Sequence, residues 1–235
     1  NAVLDYGSNN TWKKAVYANM QVDEKLSVGL GYENRKSDGF KGYYYTGNAK
    51  KGTANIKPDN IPPQLSTGKY LLGGRGEKQW ENENISAHIK YDFDEDKSLK
   101  YNYIHTESEY SYKNPFSTIT VNGKPIFGEK VDIGNGLILS PSISSYLGYD
   151  GKKESDLHVL NYVDEANKFS ANFGYLDMKK NGYSNASGAK NINWNGEGTD
   201  SYYPGKTYNF DFQKCSNSIH WHFQSHWISS TIQIM

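Results

Sequence analysis

The sequence is dominated by a period-two alternation of apolar and polar residues, and this pattern restricts most of the chain to β structure. From Leu26 onward every second residue is apolar, and serine or glycine fills the positions between. The same alternation recurs from Ile85, Leu99, Phe169 and Tyr208. Side chains on a strand point alternately to two faces, so each segment predicts a strand with one apolar face. No segment shows a convincing helical period of three and four.

The connections between these strands alternate between short and long. Weaker alternation predicts further strands at residues 2–6, 12–21 and 157–163, which brings the total to about eight. Tight acidic turns that end in lysine occupy Val22–Lys25, Asp94–Lys97 and Asp164–Lys168. Long polar loops cover roughly residues 33–84, 105–156 and 177–206. Structureless loops of this length are rare in compact soluble domains, whereas a transmembrane β-barrel has short periplasmic turns and long outer loops.

Composition excludes several other classes of protein. The chain has 235 residues and a formal net charge of +0, so nothing points to a nucleic-acid partner. A single cysteine, Cys215, cannot build a disulfide framework. No run of about 18 apolar residues predicts a transmembrane helix. The mean hydropathy of −0.82 is compatible with a barrel, because only alternate strand residues there need to be apolar.

The apolar rows could face either a protein core or a lipid bilayer. The five strongest rows contain no charged residue, and a lysine or arginine near the bilayer midplane would cost about 2–4 kcal/mol. Lys14 interrupts a weaker row close to a strand end, where the cost falls to about 0–1 kcal/mol. Aromatic residues gather toward the strand ends, as in interfacial girdles. A soluble antiparallel protein could show the same rows, and the asymmetry of the connections favours the membrane barrel.

The most specific pattern lies in residues Tyr6–Gly42. It begins with a Tyr-Gly-Ser turn and a Thr-Trp strand, passes through an acidic turn into Ser-x-Gly-x-Gly-Tyr, and ends on Ser-Asp-Gly-Phe. This segment resembles the early barrel strands of TonB-dependent outer-membrane receptors. The tight turn at Gly7–Asn10 fits the resemblance, since these receptors often have a short outer loop there. Residues 80–213 fit the same family in their spacing of strands and loops, without a sharp motif.

The resemblance implies a barrel of about 22 strands that an N-terminal domain plugs. Such receptors bind a scarce iron chelate, haem or cobalamin at the outer face. The periplasmic TonB protein, driven by the inner-membrane proton gradient, then opens a path past the plug. No plug domain or TonB-binding box precedes Asn1, and the final residues lack the aromatic terminus typical of outer-membrane barrels. We therefore expect residues 1–213 to be a partial barrel, with transport a property of the parent receptor.

Residues 214–235 form an atypical tail, which we interpret as frameshifted or truncated. From Cys215 onward the tail has no charged Lys, Arg, Asp or Glu residue, and it contains half of the six histidines. Histidines at close spacing suit zinc or copper, so His220, His222 and His226 could ligate a metal. We favour an artefactual or disordered tail over a metal site.

Aromatic residues at the roots of the long loops are the candidate ligand contacts. Rings at these positions could stack on a chelate or a macrocycle, or anchor the barrel at the membrane interface. The six candidates are Tyr43, Tyr44, Tyr45, Trp80, Tyr202 and Tyr203.

Acidic clusters and catalytic motifs give no further site. The acidic run at Asp92, Asp94, Glu95 and Asp96 lacks the spacing and the glycine of an EF-hand and favours a solvated turn over a calcium site. Glu107 and Glu109 share one face of a strand and are interpreted as solvated residues. The chain has no phosphate-binding loop, Ser-His-Asp order or metalloprotease motif. We therefore expect no catalytic residue, no cofactor and no enzymatic activity.

The sequence thus predicts an all-β fold, namely an antiparallel transmembrane β-barrel segment. Its expected location is the outer membrane of a Gram-negative bacterium, with outer-membrane lipid, the TonB protein and a metal-chelate or cobalamin-type ligand as partners. The predicted function is part of a TonB-dependent receptor for the energised uptake of an iron chelate, haem or cobalamin. Two alternatives remain open: a complete small barrel that acts as a porin or adhesin, and a soluble β-sandwich that binds carbohydrate through Tyr and Trp.

Overall fold

The computed structural model describes residues 1–148, 150–184, 189–193, 200–214 and 219–227. Strands dominate this part of the chain, and one short helix lies between β13 and β14. In chain order the elements are β1 (Ala2–Gly7), β2 (Thr11–Gln21), β3 (Leu26–Ser37), β4 (Tyr44–Gly47), β5 (Lys50–Lys51), β6 (Tyr70–Gly74), β7 (Glu77–Asp92), β8 (Lys97–Lys113), β9 (Phe116–Ser117), β10 (Thr120–Val121), β11 (Lys124–Pro125), β12 (Val131–Gly134), β13 (Leu137–Leu139), α1 (Ile143–Tyr146), β14 (Gly151–Asp164), β15 (Phe169–Ser184), β16 (Asp200–Tyr202), β17 (Gly205–Lys214) and β18 (Ile219–Trp227).

One ten-stranded antiparallel sheet organises the molecule. Its strand order is β1-β2-β3-β7-β8-β14-β15-β17-β18, and β16 pairs with the C-terminal end of β15. The predicted all-β, antiparallel fold is confirmed at this level. About eight strands were expected from the alternation; the sheet adds β16 and β18. Over the described residues the order is an open path with β1 and β18 at its two ends.

Short acidic turns connect the strands at one end of the sheet, as predicted. Asp23 closes the β2–β3 turn, because its Oδ1 accepts the backbone N–H groups of Lys25 and Leu26 at 2.8 Å each. Asp94 accepts the N–H of Asp96 at 3.0 Å in the β7–β8 turn. Adjacent turns also bind each other, since the Lys25 ammonium donates to a main-chain carbonyl of the β7–β8 turn at 3.0 Å. These carboxylates therefore hold turn backbones, which is the common role of aspartate in turns.

The strands run farther toward the long loops than the alternation predicts. The expected loops over residues 33–84 and 105–156 shrink to residues 38–76 and 114–150. Beyond the apolar rows both faces of the strands are polar, so the sequence pattern disappears while the backbone ladder continues. The pairing of β7 with β8 extends to Glu77 opposite Lys113.

The long loops fold together into a second structure, which we call the loop head (residues 38–76 and 114–148). Strand β5 of the first loop pairs with β13 of the second, and β6 pairs with β9. The Asn-Gly dipeptide at 122–123 is a strong hairpin signal, and these residues form the turn between β10 and β11, with positive φ angles of 52° and 75°. The main buried cluster lies here: Leu72, Ile119, Val131, Ile133 and Leu139.

Tyr146 ties α1 to this cluster. Its side chain is fully buried, and its hydroxyl donates to the carbonyl of Leu72 at 3.1 Å. Burial raises the pKa of Tyr146 to about 12. The loop head thus has a core of its own at one end of the sheet.

Candidate functional site

The large sheet exposes one continuous apolar face, which we call the apolar band. Residues opposite each other on neighbouring strands share a face, and Leu26, Tyr91, Leu99 and Tyr162 are in register across four strands. The next two cross-strand rows on this face, toward the long loops, are also largely apolar. Leu30 is 67% exposed within this face. The other exposed apolar members include Val16, Met20, Ile85, Ile89, Leu160, Phe210 and Phe212.

This exposure is unusual because the face is broad and contiguous. A soluble monomer seldom exposes an apolar patch larger than a few hundred Å². In the part of the chain that the structure describes, no second sheet covers the band; the smaller sheets belong to the loop head. A partner for this face must come from outside the described residues.

A row of tyrosines marks the edge of the apolar band on the side of the long loops. Two of the hydroxyls donate to carboxylates: Tyr32 to Glu83 at 2.9 Å, and Tyr103 to Asp156 at 2.9 Å. The rings of Tyr103, His158, Tyr175 and Tyr208 form a ladder along this edge, with centroid distances of 5.1, 5.7 and 5.0 Å. Tyrosines with an apolar body and a hydrogen-bonded tip are typical of the boundary between an apolar and a wet environment.

A second aromatic border lies near the short turns. Tyr91 contacts Phe93 with ring centroids 5.1 Å apart, and Tyr162 contacts Phe169 at 6.1 Å. The chain from Phe93 to Ile85 covers about 26 Å at 3.3 Å per residue. In a barrel whose strands tilt by about 40°, this length would correspond to a height of about 20 Å, and the apolar band of outer-membrane barrels is about 25 Å tall.

Charged residues occupy the same face beyond the tyrosine row. Glu107 and Glu109 both bind the Lys152 ammonium there. Asp156 accepts hydrogen bonds from His105 at 2.7 Å and from Lys179 at 2.5 Å. The prediction that Glu107 and Glu109 share one face of a strand is confirmed.

The opposite face of the sheet is polar. Asn102 donates to Asn161 at 3.4 Å, and Thr106 donates to Asn84 at 2.9 Å. Gly29 lies on this face, where a Cβ atom would come within 2.1 Å of the His88 ring. Because Gly29 has no side chain, the His88 ring can lie against the backbone of β3.

The three consecutive tyrosines at the root of the first long loop contact three different neighbours. Tyr43 packs edge-on against Tyr112 with centroids 5.2 Å apart. Tyr44 is 62% exposed and touches Phe116 at its edge. Tyr45 packs against Tyr146 and the loop-head core, so its ring supports the fold of the loops.

The other three sequence candidates lie on different strands. Trp80 is on β7, opposite Ser37 on one side and Tyr110 on the other. The backbone of Tyr202 pairs with Gly182, and its side chain lies outside what the structure describes. Tyr203 is exposed, and its N–H donates to the carbonyl of Asn181 at 2.8 Å. The structure therefore distributes the six candidates and does not gather them in one pocket.

A group of residues that the sequence reasoning missed surrounds Lys78. The Lys78 ammonium lies 4.1 Å from the ring centroid of Tyr110, 5.9 Å from that of Tyr43 and 6.0 Å from that of Tyr112. An ammonium group within about 6 Å of a ring face is attracted by the ring quadrupole. Tyr110 and Tyr112 keep a spacing of two, but they lie on the face of β8 opposite Tyr101 and Tyr103, so the apolar row does not lead to them. Extending strand β8 to Lys113 would have found them.

A cavity of about 400 Å³ opens beside this group, at the ends of five neighbouring strands. Its centre is a cross-strand row in register: Ser37, Trp80, Tyr110, Gly151 and Tyr183. The volume lies within the range of about 300–1,000 Å³ that small-molecule sites occupy. The remaining lining residues flank this row: Lys36, Asp38, Gln79, Glu81, Glu109, Ser111, Asp150, Lys152 and Gly182.

Gly151 shapes the cavity wall. A Cβ atom at this position would lie 2.3 Å from a ring carbon of Tyr110. Glycine therefore allows the Tyr110 ring to lie against the backbone of β14. Asp150 precedes this glycine, is exposed, and accepts the N–H of Tyr112 at 3.3 Å. Partial desolvation by its neighbours raises the pKa of the Asp150 carboxyl above its usual value.

The candidate metal site in the histidine-rich tail lies outside the side chains that the structure describes. The backbone of β18 carries His220, His222 and His226 and pairs with β17, while their side chains lie outside the described part. Cys215 also lies outside it. Among the described residues no group of three His, Cys, Asp or Glu side chains could hold a metal ion.

Comparison with known proteins gives no relative. No protein-family model, no curated protein and no solved structure matches this chain. Among the described residues, no helix is both long and apolar enough to cross a membrane. Its function is therefore inferred from its own residues.

Proposed function

We propose that this chain is part of the barrel of a TonB-dependent outer-membrane receptor, and that it contributes to the energised uptake of an iron chelate, haem or cobalamin. The observation that carries the proposal is the exposed apolar band between two aromatic borders. Lipid is the partner that suits such a face, because strands can meet lipid when every backbone group is paired within a sheet that closes.

The arrangement of the connections supports the same proposal. Tight turns lie at one end of the sheet, and the first two long loops form the loop head at the other. In a barrel of this kind the long loops face outward and the polar face lines the interior. The cavity beside Trp80 lies at the long-loop end, where an incoming ligand would first meet the barrel.

The soluble alternative requires a partner for the apolar band. A β-sandwich covers the apolar face of one sheet with a second sheet about 10 Å away. The described residues contain no such layer. Carbohydrate binding by a soluble sandwich therefore has less support than a membrane position.

The decisive experiment is purification of the full chain with and without detergent, followed by sedimentation. We expect a monodisperse particle in micelles and aggregation when detergent is removed, because the apolar band then meets water. A compact monomer in plain buffer would refute the membrane proposal and favour the sandwich.

Uptake of a chelate needs a separate test. Full-length chain in micelles would be titrated with a panel of ferric chelates, haem and cobalamin while tryptophan fluorescence is followed. Saturable quenching by one class supports a receptor. A closed, heat-modifiable species on gels that binds none of them would favour a small porin or adhesin.

A further inference from the structure

We propose that the cavity centred on Trp80 and Tyr110 binds the positively charged, amine-bearing part of a ligand. The inference rests on the proposed function, because it assumes that this end of the sheet meets ligand. It narrows the ligand class from any chelate to one that carries an ammonium group, and it is argued from the cavity, its aromatic wall and its charge.

The aromatic wall comes from the register of the strands. Trp80 and Tyr110 are direct neighbours on β7 and β8, and Tyr183 lies in the same row two strands away. Tryptophan and tyrosine faces attract cations, by about 0.5–1 kcal/mol at exposed sites and about 2 kcal/mol or more where water is excluded. Gly151 fixes the place of Tyr110 in the wall, because any Cβ there would collide with the ring.

The charge of the lining points the same way. Successive side chains on a strand point to opposite faces, so Glu81, Glu109, Lys36 and Lys152 point to the face opposite Trp80 and Tyr110. The carboxylates of the loop residues Asp38 and Asp150 remain beside the cavity, which leaves an excess of two negative charges. Lys152 is already bound to Glu107 and Glu109, so it offers little to an anionic ligand. A ligand with several free carboxylate or catecholate charges would be repelled here.

Asp150 is the carboxylate best placed to meet a cation. It is exposed at the cavity, and among the described residues it forms no ion pair within 4.0 Å. Its one described hydrogen bond comes from the N–H of Tyr112. The other carboxylates already accept side-chain donors: Asp38 binds Asn10, Glu81 binds Asn34, and Glu109 binds Lys152.

The protein itself places one ammonium group against this wall. Lys78 lies 4.1 Å from the centroid of the Tyr110 ring. When Lys78 is included, the excess falls to one negative charge, so the net charge around the cavity is still negative. The contact demonstrates that the local geometry accepts an ammonium group on a ring that also lines the cavity.

The test uses two ferric trihydroxamates that differ only in the group on their terminal nitrogen. One ends in a primary ammonium group, and the other carries the same amine in N-acetylated form. The full chain in micelles is titrated with each at low ionic strength, and with an anionic ferric tris-catecholate as a third probe. We expect the ammonium form to bind about tenfold more tightly than the acetylated form, which corresponds to about 1.4 kcal/mol.

Two variants and a control assign this preference to the cavity. Asp150→Asn keeps an acceptor for the Tyr112 N–H and removes the charge, so it should abolish most of the preference for the ammonium form. Trp80→Leu should weaken the binding of both hydroxamates. Asp59→Asn, the same chemical change in the loop head, should alter neither.

The results separate this inference from the proposed function. Equal binding of the two hydroxamates, tighter binding of the tris-catecholate, or an unchanged preference in Asp150→Asn would each overturn the inference. A chain that inserts into micelles but binds none of the three probes also overturns it and leaves the membrane position standing. A chain that is monomeric without detergent refutes the proposed function whatever it binds.

Discussion

Single residues on β7 test whether the apolar band faces lipid. Ile89 lies in the band and is 49% exposed, while Lys90 lies on the opposite face and pairs with Asp92 at 2.7 Å. If lipid surrounds the band, Ile89→Arg should destabilise the protein by about 2–4 kcal/mol, the cost of an arginine near the bilayer midplane. The measurement is urea unfolding of the chain in lipid vesicles.

Lys90→Arg is the matched control, because it places the same side chain one position away on the polar face. We expect it to be nearly neutral. If Ile89→Arg were as well tolerated as Lys90→Arg, the band would face water and the membrane position would be wrong.

In the β2–β3 turn, Asp23 holds the turn backbone through hydrogen bonds, whereas the adjacent Glu24 does not. Asp23 accepts two N–H groups in the β2–β3 turn, whereas Glu24 accepts no described hydrogen bond. Asp23→Ala should lower the free energy of unfolding by about 1 kcal/mol, since water can partly replace the lost bonds at this exposed site. Glu24→Ala should leave the midpoint of urea unfolding unchanged, and equal effects would contradict this account of the turn.

The hairpin of β10 and β11 is held by a carboxylate that titrates. The two oxygens of Asp59 accept the N–H groups of Asn122 and Gly123 at 2.9 Å each. These bonds, with that of Gly123 the largest contribution, lower the pKa of Asp59 below its usual value. A lowered pKa in the fold means that the stabilisation is complete above the unfolded pKa and is lost as the pH falls through the folded one.

We therefore expect the amide protons of Asn122 and Gly123 to be protected from hydrogen exchange at pH 5–7. Their protection factors should fall as the pH drops below about 4, the ordinary pKa of an aspartate, and should go on falling through the lowered folded pKa. Hydrogen exchange followed by NMR in micelles measures both amides. In Asp59→Asn the pH dependence should disappear, and a pH dependence that survives in this variant would assign it to another group.

The sequence predicts the elements well where one face is apolar and poorly where both faces are polar. The rows from Leu26 and Leu99 and the turn at Val22–Lys25 are confirmed as strands and turn. The half of β8 from Thr106 to Lys113 falls within a predicted loop, because Glu107 and Glu109 end the apolar row that begins at Leu99. Those same residues bring Tyr110 and Tyr112 to the cavity, so the candidate site was incomplete for the same reason.

The loop candidates show a second limit of the sequence. Tyr43, Tyr44 and Tyr45 look equivalent as consecutive aromatic residues. Tertiary contacts distinguish them, because only Tyr45 packs against the buried loop-head cluster. The exposure of each ring depends on the pairing between β6 and β9. In that pairing Gly74 lies opposite Phe116, more than forty residues later in the chain. No local sequence pattern encodes such a pairing.

The whole molecule has two separately packed parts, a sheet with an exposed apolar face and a loop head with a core of its own. Ile119 is fully buried in that core, whereas Ile61, in the other loop of the head, is 60% exposed. Ile119→Ala should cost the loop head about 2–5 kcal/mol through lost contacts and the cavity left behind. Ile61→Ala removes the same atoms from a solvent-exposed position and should change little.

Limited proteolysis in micelles distinguishes local from global unfolding. In Ile119→Ala we expect new cleavage within residues 38–76 and 114–148, while the strands β7, β8 and β14 stay protected and the far-ultraviolet signal of the sheet persists. This follows because the described sheet is held by its ladder of backbone pairs and the buried cluster belongs to the loops. Simultaneous loss of the head and the sheet in this variant would mean that the two parts fold as one cooperative unit.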